Sequence, residues 1–444
     1  MTVSTPQSAK ASKNRFGSTV PSQADLALLA QPLTLPFSGK IIKNRFCKAA
    51  LSESLGGAQG QFDKDHLDRF VPLYDAWAAG GSGLVLTGNV MVDRTMREME
   101  HNVAVEDSRD LGRLKVWAQT VQKHGAAIYA QISHPGRQTH AHLTENPVAP
   151  SAIPVSNFHP LMSFNPPRAL TTEEIKSIIT RFRTHDQYGG SLENRARFLT
   201  EIVEGIKAVT PKEFSIGVKL NSVDFGRRRQ GGAAGASAEE EVDEHLEEAV
   251  QIAVMLEELG VDFIEISGGS YESFATGLLD GKGVPDESPN TDNKKTKKAP
   301  SNSTQKREAH FAVFAERISR ALKTTKVILT GGFVTASAMT DSLKPSLTSS
   351  GTHIDMVGLG RTICQEPDLP NLILSGAVTG AVRLPKTPGG FFDDVFICGG
   401  NIRRMAYGKY PVASLGRLAV SCDHYAYSMD YAKVAVHKVK TIFS

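Results

Sequence analysis

Seven short apolar runs recur along the chain, near positions 45, 85, 129, 217, 264, 328 and 356, and stretches with helical spacing alternate with them. Gly83-Leu-Val-Leu-Thr87-Gly88-Asn89, Ala127-Ile-Tyr-Ala-Gln131-Ile132 and Val261-Asp-Phe-Ile-Glu-Ile-Ser267 are examples. Short, mostly apolar runs of this kind suit strands covered on both faces, which is the condition of a parallel sheet with helices outside it. The intervening periods fit: His66 to Ala79 carries Leu67, Phe70, Val71, Tyr74 and Trp77 and stops at Gly80-Gly81, and Asp110 to Lys123 stops at Gly125. Further helices are expected over Glu241–Glu258, Glu308–Leu322 and Glu366–Leu374. The expected fold is α/β, a TIM (β/α)8-type barrel.

Two of these runs bear on chemistry. Lys326-Val-Ile-Leu-Thr330 runs into Gly331-Gly332, and Ile354-Asp-Met-Val-Gly358-Leu-Gly360 runs into Arg361. Strands that end in bare backbone let several N–H groups converge, and a guanidinium beside them suits a phosphate. In an α/β barrel the loops after the last two strands are where a phosphate sits. Glycines that merely end strands are the alternative reading of Gly-Gly by itself.

The balance of 50 basic against 47 acidic residues, a formal +3, argues against a nucleic-acid or membrane partner. No apolar run has the length of a bilayer span. Cys47, Cys364, Cys398 and Cys422 lie far apart, without a CxxC pair, so no metal site is expected and a reducing, cytoplasmic setting is. Residues 1–32 are expected to be a disordered tail, 33–375 the barrel, and 376–444 an irregular extension. Within the barrel, 285–305 reads as a solvated insertion rich in Lys, Ser, Asn and Thr, and Arg227 to Ala238 as a polar, glycine-rich one. His134 to Pro167, long and proline-rich after a strand end, reads as an active-site cover.

One unit breaks the rhythm. Thr171-Thr-Glu-Glu174 opens a helix through Ile175, Ile178, Ile179 and Phe182, yet Thr184 is followed by His185-Asp-Gln-Tyr188-Gly-Gly-Ser-Leu-Glu-Asn-Arg195 and a second helix, with no strand between. Seven strands are present where a barrel has eight, and the fourth is missing at 184/185.

The dispersed motifs Lys43-Asn-Arg45 with Ala49-Ala-Leu-Ser52, Leu86-Thr-Gly-Asn89, Gln131-Ile-Ser-His134-Pro-Gly-Arg137-Gln138, Asp186 to Arg195, Thr330-Gly-Gly332 and Gly358-Leu-Gly-Arg361 occur in this order. Over about Leu33 to Leu374 the chain resembles the Old Yellow Enzyme family of FMN-dependent NADH:flavin oxidoreductases. The resemblance implies an FMN-holding barrel with NADH or NADPH as reductant and a small-molecule substrate. It implies that Ala50 and Leu51 offer backbone to the flavin, with the Ser52 hydroxyl near its C4 carbonyl and N5. Gly88 would lie beside the ring, Gln131 would bind the pyrimidine edge, and Lys219 would face N1 and the C2 carbonyl. Gly331, Gly332, Gly360 and Arg361 would hold the phosphate. Ser52 and Lys219 are then the catalytic candidates: hydride arriving at N5 leaves negative charge at N1, which a nearby ammonium stabilises. Lys stands where most of the family has Arg, supplying the charge without the bidentate fork. His134 and Arg137 are open between loop packing and ligand contact.

The departure from the family coincides with the absent strand, where the family carries a His-x-x-His or His-x-x-Asn pair for the substrate carbonyl and a nearby Tyr. His185 and Tyr188 belong to the segment that follows and are not assigned those roles. Three readings stand: an FMN-dependent reductase of activated alkenes; a flavin-binding relative that has lost its electrophilic pair; and a written sequence that omits a segment the working protein has, under which the first reading holds.

Overall fold

The apolar runs pair into a single, mostly barrel-forming parallel sheet. The computed structural model describes residues 15–17, 19–105, 108–155, 163–171, 173–175, 178, 192–221, 238–267, 312–344, 354–383 and 391–411. In chain order its strands are β1 (Leu33–Thr34), β2 (Ile41–Ile42), β3 (Phe46–Lys48), β4 (Leu84–Met91), β5 (Val103–Ala104), β6 (Ala127–Ser133), β7 (Val148–Ala149), β8 (Arg168–Ala169), β9 (Gly217–Asn221), β10 (Phe263–Ser267), β11 (Lys326–Thr330) and β12 (Met356–Leu359). All seven expected strands are present. They lie in the order β6-β4-β3-β12-β11-β10-β9, every pairing parallel, and β5 adds two residues to the end of β4. Among the described residues no backbone ladder joins β6 to β9, so the wall has a seam there. Tyr129 donates its hydroxyl to Ser215 Oγ across that seam at 2.5 Å, and the Tyr129 ring meets Phe263 edge-on.

Alternation along the strands sorts side chains between two cores. Cys47, Leu84, Leu86, Phe263, Ile328 and Met356 fill the barrel interior with Leu33, Leu35 and Ile42 from the β1–β2 hairpin. That hairpin closes the N-terminal end, where Asp262 Oδ1 accepts the N–H groups of Phe37 and Ser38 at 2.8 and 3.0 Å. On the outside, Phe62, Phe70, Tyr74, Trp77 and Trp117 form a continuous aromatic cluster under the helices Lys64–Ala79 and Leu111–Gln122. Burying rings of this size contributes roughly 2 kcal/mol or more each.

Several expectations are corrected. The stretch Ile41 to Ser52 is two strands, not one: Asn44 Oδ1 accepts the Phe46 N–H at 3.0 Å and its Nδ2 donates to Gly81 O at 2.8 Å, turning the chain between β2 and β3. Residues 1–32 are not wholly an unstructured tail. Gln23–Ala30 is a helix, because Ser22 and Asp25 form a reciprocal capping box and Leu26 and Leu29 are buried. Glu366–Leu374 is replaced by the short helices Arg361–Gln365 and Leu369–Leu374. The C-terminal extension contains the helix Phe391–Ala406, which buries Ile397, Cys398, Ile402 and Met405 against the helices Lys64–Ala79 and Arg361–Gln365. The expected cap at Thr171 forms, with Glu174 N–H donating to Thr171 Oγ1 at 3.2 Å. The junction at 184/185, the insertions at 227–237 and 285–305, and Cys422 lie outside the described residues.

Candidate active site

A parallel barrel aims every strand's C-terminal end at the same mouth, and that is where this chain keeps its polar residues. Ala50, Leu51 and Ser52 follow β3; Gly88 and Asn89 lie late in β4, Gln131 in β6 and Lys219 in β9. Gly331-Gly332 follow β11 and Gly360-Arg361 follow β12. Thr330 and Gly358 are register partners, so those last two exits are neighbours. Gly332 has φ +69°, a backbone open to glycine at little cost, and both Gly332 and Arg361 face solvent.

The β4 exit is irregular and tightly held. Its register with β6 shifts between Leu86 and Asn89. Within that shift Glu53 Oε1 accepts the Gly88 N–H at 2.7 Å and also the Tyr74 hydroxyl. A Cβ on Gly88 would overlap the Glu53 carboxylate and the Leu51 carbonyl, so the position admits only glycine. Lys48, fully buried on the outer side of β3, donates to Leu86 O at 2.7 Å and lies 4.1 Å over the Trp77 ring. Loss of water holds its ammonium down at about 8, against the opposing pull of Glu53. Burial likewise pushes the Tyr74 hydroxyl well above the ordinary range.

At the mouth a polar chain crosses three strands. Ser52 Oγ donates to Glu98 Oε2 at 3.1 Å, Asn89 Nδ2 donates to the same oxygen, and Gln131 Nε2 donates to Asn89 Oδ1 at 2.6 Å. Gln131 Oε1 is buried with no hydrogen-bond partner among the described residues. On the opposite side Lys219 Nζ lies 3.5 Å from Glu265 Oε2, and Thr330 Oγ1 donates to Glu265 Oε1 at 2.7 Å. Glu265 is 1% exposed, while the Lys219 side chain keeps 35% of its surface. Gly358 leaves the space in which the Thr330 hydroxyl lies.

The structure thus brings all ten candidate positions to one end of one sheet. Glu53, Glu98 and Glu265 are additional members that the sequence reading did not single out. For Glu265 a signal existed, since it is a lone acid facing inward from an apolar strand. Glu53 and Glu98 had none, because loops carry carboxylates routinely. The donor set suits a flavin: an orphaned amide oxygen on Gln131 complements the ring N3–H, Lys219 and the second hydrogen of Gln131 Nε2 can donate to its carbonyls, and Ser52 can do so by turning its proton away from Glu98. Three buried thiols, Cys47, Cys364 and Cys398, are free, and no group of acids, histidines and cysteines among the described residues is arranged to hold a metal. No helix among the described residues is long and apolar enough to cross a membrane.

Comparison with known proteins agrees with this geometry. The sequence profile of the NADH:flavin oxidoreductase / NADH oxidase family matches residues 29–185 and 183–276. The NADH-dependent flavin oxidoreductase nadA of Aspergillus parasiticus is 30% identical over 405 residues, covering 81% of this chain and 81% of the relative. Among solved structures, the old yellow enzyme homologue of Zymomonas mobilis superposes with a TM-score of 0.56 at 20% identity, over 82% of this chain and 98% of the other. Morphinone reductase in complex with tetrahydroNAD gives the same TM-score and identity over 88% and 98%. The barrel, the polar mouth and these matches lead to one assignment: the chain belongs to the NADH:flavin oxidoreductase / NADH oxidase family and is an NAD(P)H-dependent flavin oxidoreductase whose cofactor is FMN.

Proposed function

We propose that the enzyme passes hydride from NADH or NADPH to an activated alkene or a similar small acceptor, with the cofactor seated at the C-terminal mouth of the barrel. The observation that carries this reading is the convergence of Ser52, Gly88, Gln131, Lys219 and the two glycine exits at that mouth. Bound FMN supplies reversible hydride transfer through its N5 position. Ala50 and Leu51 offer backbone beside the ring, and Ser52 directs its hydroxyl at the C4 and N5 edge. Gly88 lies beside the ring, its side-chain space being taken by the Glu53 carboxylate. Gln131 takes the pyrimidine edge from the β6 bank of the seam and Lys219 from the β9 bank. Lys219 also brings positive charge to the N1 side, where a water-poor site makes it most effective. Gly331, Gly332 and Gly360 offer N–H groups to the phosphate, and Arg361 adds its guanidinium.

A second reading concerns the seam. The family profile matches in two pieces that meet at 183–185, the position at which the strand rhythm breaks, and β6 and β9 flank a side of the sheet that no strand among the described residues pairs. Both observations favour a working protein with one further βα unit between Thr184 and His185. Without that unit the chain lacks the stretch in which the family carries its substrate-binding His pair.

The two readings are tested together. Protein of this exact sequence is expected to take up FMN weakly and to oxidise NADH or NADPH slowly, and grafting the βα unit of a relative between Thr184 and His185 is expected to raise both. Stoichiometric flavin with brisk turnover of an unsaturated ketone in the ungrafted protein removes the second reading. Absence of flavin absorbance in both proteins under every reconstitution removes the first. Sequencing the transcript across codons 184 and 185 decides whether extra coding sequence exists there.

A further inference from the structure

Glu265 is an ionisable residue that the reading above does not use. It lies on β10, between β9, which carries Lys219, and β11, which leads into Gly331-Gly332. Glu265 and Lys219 are direct register partners, so they stand at the same height in the wall. One carboxylate oxygen is fixed by the Thr330 hydroxyl at 2.7 Å; the other, Oε2, is buried, receives no hydrogen bond from the described residues and has the Lys219 ammonium at 3.5 Å. A buried carboxylate oxygen left without a donor is costly, and such an atom at a ligand site marks where a donor arrives.

The cofactor's own connectivity names the donor. The ribityl chain leaves the ring at N10, two bonds from N1, and ends at the phosphate. If N1 faces Lys219 on β9 and the phosphate lies at the exits of β11 and β12, the chain passes the end of β10. Its three hydroxyl groups are donors, whereas the oxidised ring has a single N–H, already matched by Gln131. We infer that Glu265 is a cofactor-binding residue whose Oε2 accepts a hydrogen bond from a ribityl hydroxyl, with Thr330 holding the carboxylate in place. Gly358 contributes indirectly, because only a residue without a Cβ leaves the Thr330 hydroxyl its position. This inference rests on the FMN reading.

The test compares riboflavin, which carries the ribityl chain, with lumiflavin, which has a methyl group in its place. Neither has a phosphate, so the glycine exits drop out of the comparison. Dissociation constants come from quenching of flavin fluorescence by the parent protein, Glu265→Leu and Glu265→Gln, with unfolding followed by circular dichroism. The parent is expected to prefer riboflavin. Glu265→Leu is expected to cut that preference by roughly tenfold, the size of one hydrogen bond to a charged group, and Glu265→Gln by a smaller factor of about three. An unchanged preference in Glu265→Leu overturns the inference. Should that variant not fold, an unchanged preference in the isosteric Glu265→Gln overturns it instead. Equal weakening of both flavins also overturns it, since that marks general damage to the mouth. A parent that binds neither flavin, or binds both with equal affinity, overturns this inference, while the FMN reading is decided separately by uptake of FMN itself in the ungrafted and grafted proteins.

Discussion

Glu53 Oε1 accepts the Gly88 N–H at 2.7 Å, inside the register shift that bends β4 at the barrel mouth. One carboxylate accepts from both the Gly88 amide and the Tyr74 hydroxyl, and the Gly88 N–H also reaches Tyr74 Oη at 3.3 Å. Glu53→Ala leaves the buried Tyr74 hydroxyl without its acceptor and the Gly88 N–H with only its 3.3 Å contact to Tyr74 Oη, and is expected to destabilise the protein by about 1–3 kcal/mol, with Glu53→Gln milder. Urea unfolding of the two variants beside the parent measures the difference; equal stability of all three would show that the clamp is incidental.

Lys48 makes stability depend on pH in a defined direction. Its folded value of about 8 lies below the ordinary 10.5. Below pH 8 both states hold the proton and the folded state bears the cost of burying the charge. Between pH 8 and 10.5 the folded state has released the proton while the unfolded chain keeps it, so this residue's contribution rises with pH, by as much as about 3 kcal/mol. Cys47, Cys364 and Tyr74 are all raised by burial or by their neighbours and act in the opposite sense there. The measurement is therefore the parent curve minus that of Lys48→Met, expected to climb between pH 8 and 10.5. A flat difference contradicts the assignment.

Arg361→Ala is expected to weaken FMN by roughly tenfold while leaving riboflavin nearly unaffected, because a guanidinium on a phosphate is lost only where a phosphate is bound. Lys219→Ala is expected to weaken FMN less, and riboflavin to a similar extent. Equal FMN affinity in both variants and the parent would remove the phosphate assignment.

Gly358→Ala is expected to cost about 1–3 kcal/mol, since its methyl group would overlap the Thr330 hydroxyl in a packed wall. Adding Thr330→Ala should recover part of that loss. Chemical denaturation of the single and double variants checks the coupling, and strictly additive losses would argue against it.

Much of this was legible in the residues. The seven barrel strands read directly because each is a short, largely apolar run, even where Lys48, Gln131, Lys219 or Glu265 interrupts it, and that pattern survives without knowledge of its neighbours. The helix Phe391–Ala406 did not read, because Gly399-Gly400 falls in its middle and resembles a break. Its stability comes from burying Ile402 and Met405 against other helices, which no local pattern reveals. The helix Gln23–Ala30 did carry its cap, Ser22 and Asp25, but in a segment whose composition suggests a tail. The glycine exits and Lys219 were recognised as motifs, whereas Glu53 and Glu98 became part of the site only through contacts between distant loops and strands.

The hydroxyl contact between Tyr129 and Ser215 has a mechanical meaning. Among the described residues, six of the seven joints around a seven-strand circuit are riveted by backbone ladders, and at the seventh Tyr129 and Ser215 form a side-chain clasp. Gln131 and Lys219 stand on the two banks of that joint, so the span between them is fixed by side-chain contact and not by a shared ladder among the described residues.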